Sequence, residues 1–274
     1  MAGWKRRAIG DLPLYQATTL SWLPNLVQGF TTRNGGVSAA PYDTLNLGAH
    51  VGDTAETVRV NRERVCMDLG FTSSQLALAE QIHGDGVGQV TEPTAAPLPG
   101  IDALMTDVPN VMLLMLYADC APIYLFDPLR RAIGLVHAGW RGTAANIVAK
   151  TVKAMQQTYD INPRQCIAAI GPCIGGDSYE VGTEVADQFR NFAGGYNAGA
   201  STAVFPKDEM TGTYLVNLRQ ILYMQLLAAG LTAEAIAVCD EDTFRNRRDF
   251  FSYRREGSKT GRMAAFMALQ EKIR

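Results

Sequence analysis

Three short stretches end apolar runs with side chains able to hold a metal ion: QIHG at 81–84, LYADC at 116–120 and VHAGWRG at 136–142. They offer His83, Cys120 and His137. Two imidazoles and a thiolate suit Zn²⁺, and three protein ligands with a fourth position open is the pattern of a catalytic rather than a structural zinc. The chain has only three histidines, His50, His83 and His137, so His50 in LNLGAHVGD competes for the third place. A His₂Cys set also suits copper, with Met112 or Met115 as the axial ligand. Three histidines cannot serve the several copper ions of a multicopper oxidase, which disfavours laccase chemistry. The plainer readings are that Cys120 is a small core residue and that each histidine is satisfied by hydrogen bonds. The spacings contain no compact metal motif that would decide the matter. A metal-free alternative is Cys120 as a nucleophile activated by His137.

Carboxylates lie close by in sequence. Asp119 adjoins Cys120, and Asp102 and Asp107 flank DALMTD, so each could orient a ligand histidine, move a proton or simply cap a turn. Arg141 precedes an expected helix starting at Thr143, whose N-terminal N–H groups suit an anion. Arg33 in TTRNGG stands before two glycines. The stretch 244–262 holds Arg245, Arg247, Arg248, Arg254, Arg255, Lys259 and Arg262 against Asp249 and Glu256, with Phe250, Phe251 and Tyr253 between them. Basic plus aromatic suits a phosphate or carboxylate clamp beside a ring-stacking surface, or a solvated basic face.

The elements that must position these residues read as an α/β or α+β protein. Short apolar runs, DALMT, VMLLMLYA, PIYLF, AIGLVH, CIAAIG and AIAVC, lack alternation and predict strands covered on both faces. Helices are predicted over 53–70, with Asp53 and Glu56 as a capping box, from Thr143 with Ile147, Val148, Thr151, Val152 and Met155 on one face, and over NLRQILYMQLLAAG up to Gly230. TEPTAAPLPG at 91–100 and FAGGYNAGAST at 192–202 read as surface loops. With 274 residues, 47% hydrophobic and 19% charged, an ordinary globular protein with one large core is expected. The net charge of −2 provides no field for a nucleic acid or an anionic membrane. MAGWKRRAIG is not followed by a secretory apolar segment, and the longest apolar run, 111–118, is far shorter than the ~20 residues of a membrane span. A cytoplasmic location is expected. The cysteines Cys66, Cys120, Cys166, Cys173 and Cys239 are odd in number and contain no C-x-x-C pair, so neither a disulfide framework nor a zinc ribbon is indicated. Cys173, in the Gly- and Pro-rich IGPCIG, is the one other cysteine that could reach a pocket.

Taken in order, TTRNGGVS, LNLGAHVGD, NRERV, QIHG, DALMTD, ADCAPI, VHAGWRGTA, IGPCIG and FFSYRREGSKTGRMA resemble the YfiH/laccase-domain family from about residue 30 to 268. The resemblance implies a single catalytic domain over 1–274, with mixed β-sheet layers covered by helices and kinship to the catalytic domain of a deamidating toxin. It implies zinc, with copper as the alternative, on His83, Cys120 and His137, a catalytic set of Cys120, Asp119 and Arg141, and substrate contacts from Arg33, Asn46, Gln81, Arg254 and Arg255. The region 185–212 matches nothing in the family pattern. Family activities include phosphorolysis of adenosine, inosine and methylthioadenosine with hydrolytic deamination of adenosine, for which Arg33, Arg141 and the 245–255 arginines are the candidate phosphate holders. The alternative is an amidase removing L-serine from UDP-N-acetylmuramate-L-serine, with Asp119 or Glu80 handling the proton. Polyphenol oxidation and metal binding without catalysis are the remaining readings. The expected partner is a small molecule, a nucleoside with phosphate or a UDP-muramate derivative.

Overall fold

The run MLLMLY forms the strand Met112–Tyr117, and its two faces meet different cores. Met112 and Leu114 pack with Leu14 and Phe266, whereas Leu113, Met115 and Tyr117 pack with Phe30, Tyr124 and Leu135. A strand covered on both sides has no place for polar alternation. The computed structural model describes residues 3–94, 96–193, 203–208 and 210–271.

Two large mixed sheets stack face to face. The first has seven strands in the order Trp4–Ile9, Leu12–Ala17, Leu26–Thr31, Met263–Leu269, Met112–Tyr117, Leu76–Glu80 and Leu98–Pro99. The second has six, in the order Ile236–Val238, Ile167–Ile170, Ala121–Asp127, Ala132–Ala138, Ala103–Thr106 and Val87–Gln89. Between them lies an aromatic-rich core, where the Tyr124 hydroxyl crosses from one sheet to donate to the Gly29 carbonyl of the other at 2.7 Å. Helix α1, Ala55–Asp68, covers the outer face of the seven-stranded sheet through Val65 and Cys66. The outer face of the six-stranded sheet is covered by α2 (Trp140–Ala144), α3 (Ile147–Tyr159), α4 (Thr183–Ala193) and α5 (Leu218–Ala228). A small sheet of Glu180–Gly182, Thr213–Val216 and Val204–Asp208 flanks this helical side. No helix among the described residues is long and apolar enough to cross a membrane.

The six apolar runs all form strands. Helix boundaries differ from the expected ones in two places. Thr54, rather than Asp53, caps α1 by accepting from the Thr57 N–H at 3.1 Å, because Asp53 accepts from Ser38 and Asn46 instead. Thr143 lies inside the short α2, and α3 begins only at Ile147, after Asn146 turns left-handed at φ 57° and caps it. Asparagine tolerates that conformation better than most residues. The strand Trp4–Ile9 escaped sequence reading because it is an exposed edge whose charged residues hide any period. Within the expected 91–100 loop, Leu98–Pro99 forms a short strand. The expected loop at 192–202 lies outside the described residues from 194 onward, while α4 and the strand Val204–Asp208 account for part of 185–212.

Leu114 is fully buried in a central strand. Leu114→Ala should cost about 2–5 kcal/mol through lost transfer energy and a residual cavity, measured as a shift in the denaturant unfolding midpoint at unchanged slope.

Candidate metal centre

The chain passes from the seven-stranded to the six-stranded sheet between Tyr117 and Ala121, and Cys120 stands at the end of that crossover. Asp119 makes the turn at φ 87°. In the antiparallel register Ala121 opposes Ala138, so Cys120 arrives beside His137 at the end of the neighbouring strand. His83 comes from the loop that follows Leu76–Glu80, in a left-handed conformation at φ 60°. The ligand atoms of His83, Cys120 and His137 lie within 4.8 Å of one another, a group that can hold a metal ion. His50 is not a member of that group, which removes it as the third ligand.

Asp102 fixes both histidines. Its carboxylate accepts the His137 Nδ1 proton at 2.8 Å, and the N–H groups of Ile82, His83 and Gly84 at 3.2, 3.0 and 2.8 Å. The orientation of His137 therefore follows from a carboxylate–imidazole pair of the kind that supports metal-binding histidines. Tyr117 packs against the same ring edge-on, with centroids 5.3 Å apart. The glycines of VHAGWRG act through space and not through unusual torsions: neither Gly139 nor Gly142 has a positive φ. A Cβ on Gly139 would lie 3.0 Å from Cys120 Sγ and 3.2 Å from His83, and one on Gly142 would lie 2.8 Å from the Gly84 carbonyl.

The electrostatics suit a metal. Burial alone would raise the Cys120 thiol, but the charges and hydrogen bonds of His137 and His83 outweigh it and draw the thiol down to about 6. Burial alone would lower His137, yet the Cys120 thiolate and Asp102 push it up to about 9. A thiolate beside protonated imidazole is the arrangement whose protons a bound cation displaces. The donor set of two nitrogens and one sulfur thus fits a Zn²⁺-type ion with a further position open.

These residues form one wall of a cavity of about 1040 Å³. Leu78, Leu114, Leu116, Trp140, Ile174 and Tyr179 give it apolar walls, and Gln81, Asp119, Arg141 and Arg254 also line it. Gln81 exchanges hydrogen bonds of 2.8 Å with both backbone groups of Leu116, which extends the sheet beneath the cavity floor. Asp119 is the hub of the far wall, accepting from Thr243, Ser252 and the Arg254 N–H at 2.7, 3.0 and 2.7 Å. Arg141 lies over the Trp140 ring at 4.3 Å and Arg254 over Tyr179 at 5.2 Å, both exposed. Arg62, Tyr179 and Trp140 line the cavity without having been expected from sequence.

A family model described as multi-copper polyphenol oxidoreductase laccase matches residues 27–270. The chain belongs to the YfiH/laccase-domain family. Among curated relatives, purine nucleoside phosphorylase YlmD of Geobacillus stearothermophilus is 35% identical over 94% of this chain and 98% of its own. Purine nucleoside phosphorylase YfiH of Escherichia coli is 36% identical over 87% of this chain and 92% of its own. The crystal structure of YlmD from Geobacillus stearothermophilus superposes with a TM-score of 0.90 at 34% identity, covering 99% of this chain and 100% of that one. The Bacillus licheniformis hypothetical protein YfiH gives 0.89 at 34% identity, covering 97% and 99%.

Several residues expected at the substrate stand elsewhere in this YfiH-family protein. Asn46 is fully buried, and its amide is engaged with Gly48, Asp53 and the Arg262 N–H. Arg33 and Arg255 do not line the cavity. Both meet Glu256, at 3.3 and 2.8 Å, and Arg255 also donates to the carbonyls of Thr243, Phe244 and Phe250. Phe250 and Phe251 are core residues, so of the three aromatics only Tyr253 offers a ring to the cavity. Asp107 is exposed away from it, and Cys173 is buried behind it, accepting from Arg219 at 3.3 Å.

Two outcomes are expected. Asp102→Asn should weaken metal binding about 10–100-fold, read by competition with a chromogenic chelator. Burial alone would raise Glu256, but hydrogen bonds from Thr260 and Arg255 and the charges of Arg255 and Arg33 outweigh it and hold its carboxyl below the ordinary 4.5. A carboxyl lowered by folding stabilises the native state above its ordinary value and loses that contribution as pH falls through the folded one. The stability gap between wild type and Glu256→Gln should therefore be full near neutrality and shrink below pH 4.5, checked by thermal melts across pH.

Proposed function

We propose that this protein is a zinc-dependent purine nucleoside phosphorylase that also deaminates adenosine. The observation that carries the reading is the His83–Cys120–His137 group in the wall of an apolar cavity bordered by arginines. The names of the curated relatives support the phosphorylase assignment. Zinc, when bound, supplies a Lewis acid with an open coordination position. Trp140, Tyr179 and Tyr253 supply flat surfaces against which a purine can lie. In phosphorolysis the C1′–N bond breaks as a phosphate oxygen bonds C1′, and the departing base nitrogen takes a proton. Glu80 suits the relay of that proton from the attacking dihydrogen phosphate to the base, because it borders the cavity and its carboxylate makes no hydrogen bond or ion pair among the described residues. Asp119 is a positioning residue, since its oxygens already accept three hydrogen bonds.

The test compares wild type with His137→Ala for metal content and for products of adenosine plus phosphate. Wild type should carry zinc and yield adenine, ribose 1-phosphate and inosine, while the variant loses both metal and turnover. Glu80→Gln should retain the metal and lose about 10²-fold in kcat. Zinc-loaded wild type that ignores adenosine but releases serine from UDP-N-acetylmuramate-L-serine would overturn the nucleoside assignment.

A further inference from the structure

The cavity wall has more cations than free anions. Arg62, Arg141, Arg254 and Arg262 border it, with the imidazole of His50 beside them, against Glu80 and an Asp119 already engaged by three donors. Two of the arginines differ from the others. Arg141 and Arg254 are exposed, whereas Arg62 and Arg262 are partly buried, and burial pulls both guanidiniums below their ordinary value. Neither has a carboxylate partner among the described residues. Arg62 gives Nε and Nη2 to the Leu47 carbonyl at 3.0 and 2.8 Å, and Arg262 gives Nη1 to the carbonyls of Thr260 and Gly261 at 2.9 and 3.0 Å. Nη1 of Arg62, and Nε and Nη2 of Arg262, make no hydrogen bond among the described residues.

The segment LNLGAH gathers these groups. The Leu47 N–H donates to the Arg262 carbonyl at 3.0 Å, and the Arg262 N–H donates to Asn46 at 2.9 Å. Gly48 packs directly on both neighbours: a Cβ there would lie 2.8 Å from Arg262 Cγ and 3.4 Å from His50 Cε1. Burial, then Arg262 and Arg62, hold the His50 imidazole below its ordinary value, with His83 contributing as well. Partly buried guanidiniums with no hydrogen-bonded carboxylate are unfavourable unless an anion joins them. Guanidinium forks with free N–H groups match the oxygens of phosphate.

We infer that His50, Arg62 and Arg262 form a phosphate subsite in the cavity wall, and that it seats the orthophosphate that attacks C1′. The subsite stands on these residues alone; its use by free orthophosphate rests on the phosphorylase reading. The fields of these groups reach the metal ligands, since Arg262 interacts electrostatically with Cys120 and His50 with His83. Phosphate here would share the cavity with the His83–Cys120–His137 group.

The test titrates inorganic phosphate into the metal-loaded protein by calorimetry, for wild type, Arg62→Gln, Arg262→Gln and the double variant. Metal content and circular dichroism serve as controls of folding. Each single variant should weaken phosphate by about 10-fold or more, as expected for lost hydrogen bonds to a charged group, and raise the phosphate KM to match. Arg62→Lys and Arg262→Lys, which keep the charge but lose the fork, should recover part of the affinity and cover the case in which a glutamine variant fails to fold. Phosphate affinity or phosphate KM unchanged in the glutamine variants would overturn the subsite. Phosphate binding that depends on Arg62 and Arg262 in a protein inactive on nucleosides would support the subsite and sink the phosphorylase reading. If adenosine 5′-monophosphate binds through these arginines while free phosphate does not, the phosphate arrives on the substrate, and the orthophosphate role is overturned.

Discussion

One buried carboxylate, Asp102, organises the candidate metal centre. It holds the loop carrying His83 through three successive N–H groups and the ring of His137 through Nδ1, while its own carbonyl accepts the His137 N–H at 2.8 Å. An ionised carboxylate without such donors would be costly to bury. Here the charge is met from every side, and each donor belongs to a segment that the site needs in place. The loop follows a strand of one sheet and Asp102 itself leads into a strand of the other. The geometry of the two imidazoles is thus tied to how the sheets stack.

Asp119 does comparable work on the opposite side. Its three donors come from residues 243–254, more than a hundred positions further along the chain. The strand Met263–Leu269 then inserts between Leu26–Thr31 and Met112–Tyr117. The C-terminal basic stretch is therefore held by Asp119 before it and a central strand after it. Glu256 draws Arg33 and Arg255 into the same knot. Arginines that look alike in sequence are divided by this packing into those that build the wall and those that face the cavity.

That division explains what the sequence could and could not disclose. Strands buried on both faces betray themselves by unbroken apolar runs, and the polar residues ending three such runs were legible as a group able to hold a metal because strand ends meet at a common edge. His50 could not be set aside in the same way, since residue spacing carries no information on which loops converge. The resemblance implied Arg33, Asn46 and Arg255 as substrate contacts, and they do not line the cavity, because a basic or amide side chain looks the same in sequence whether it faces a cavity or its own chain. Arg62 lies in NRERV on the charged helix Ala55–Asp68, where nothing in the sequence pointed to the cavity. Asp53 gave way to Thr54 as a cap because tertiary partners claimed its oxygens. The glycines of VHAGWRG serve closeness to Cys120 and Gly84 and not a positive φ.

The crossover between Tyr117 and Ala121 has a further consequence. His83 hangs from the seven-stranded sheet, His137 ends a strand of the six-stranded one, and Cys120 sits where the chain changes sheets. An ion held by all three would be a staple between the layers, present only once they have docked. By mass action, a ligand that binds the native state alone adds RT ln(1 + [L]/Kd) to its stability. The stability of the whole fold would then be coupled to the supply of metal in its surroundings, independently of any reaction the centre performs.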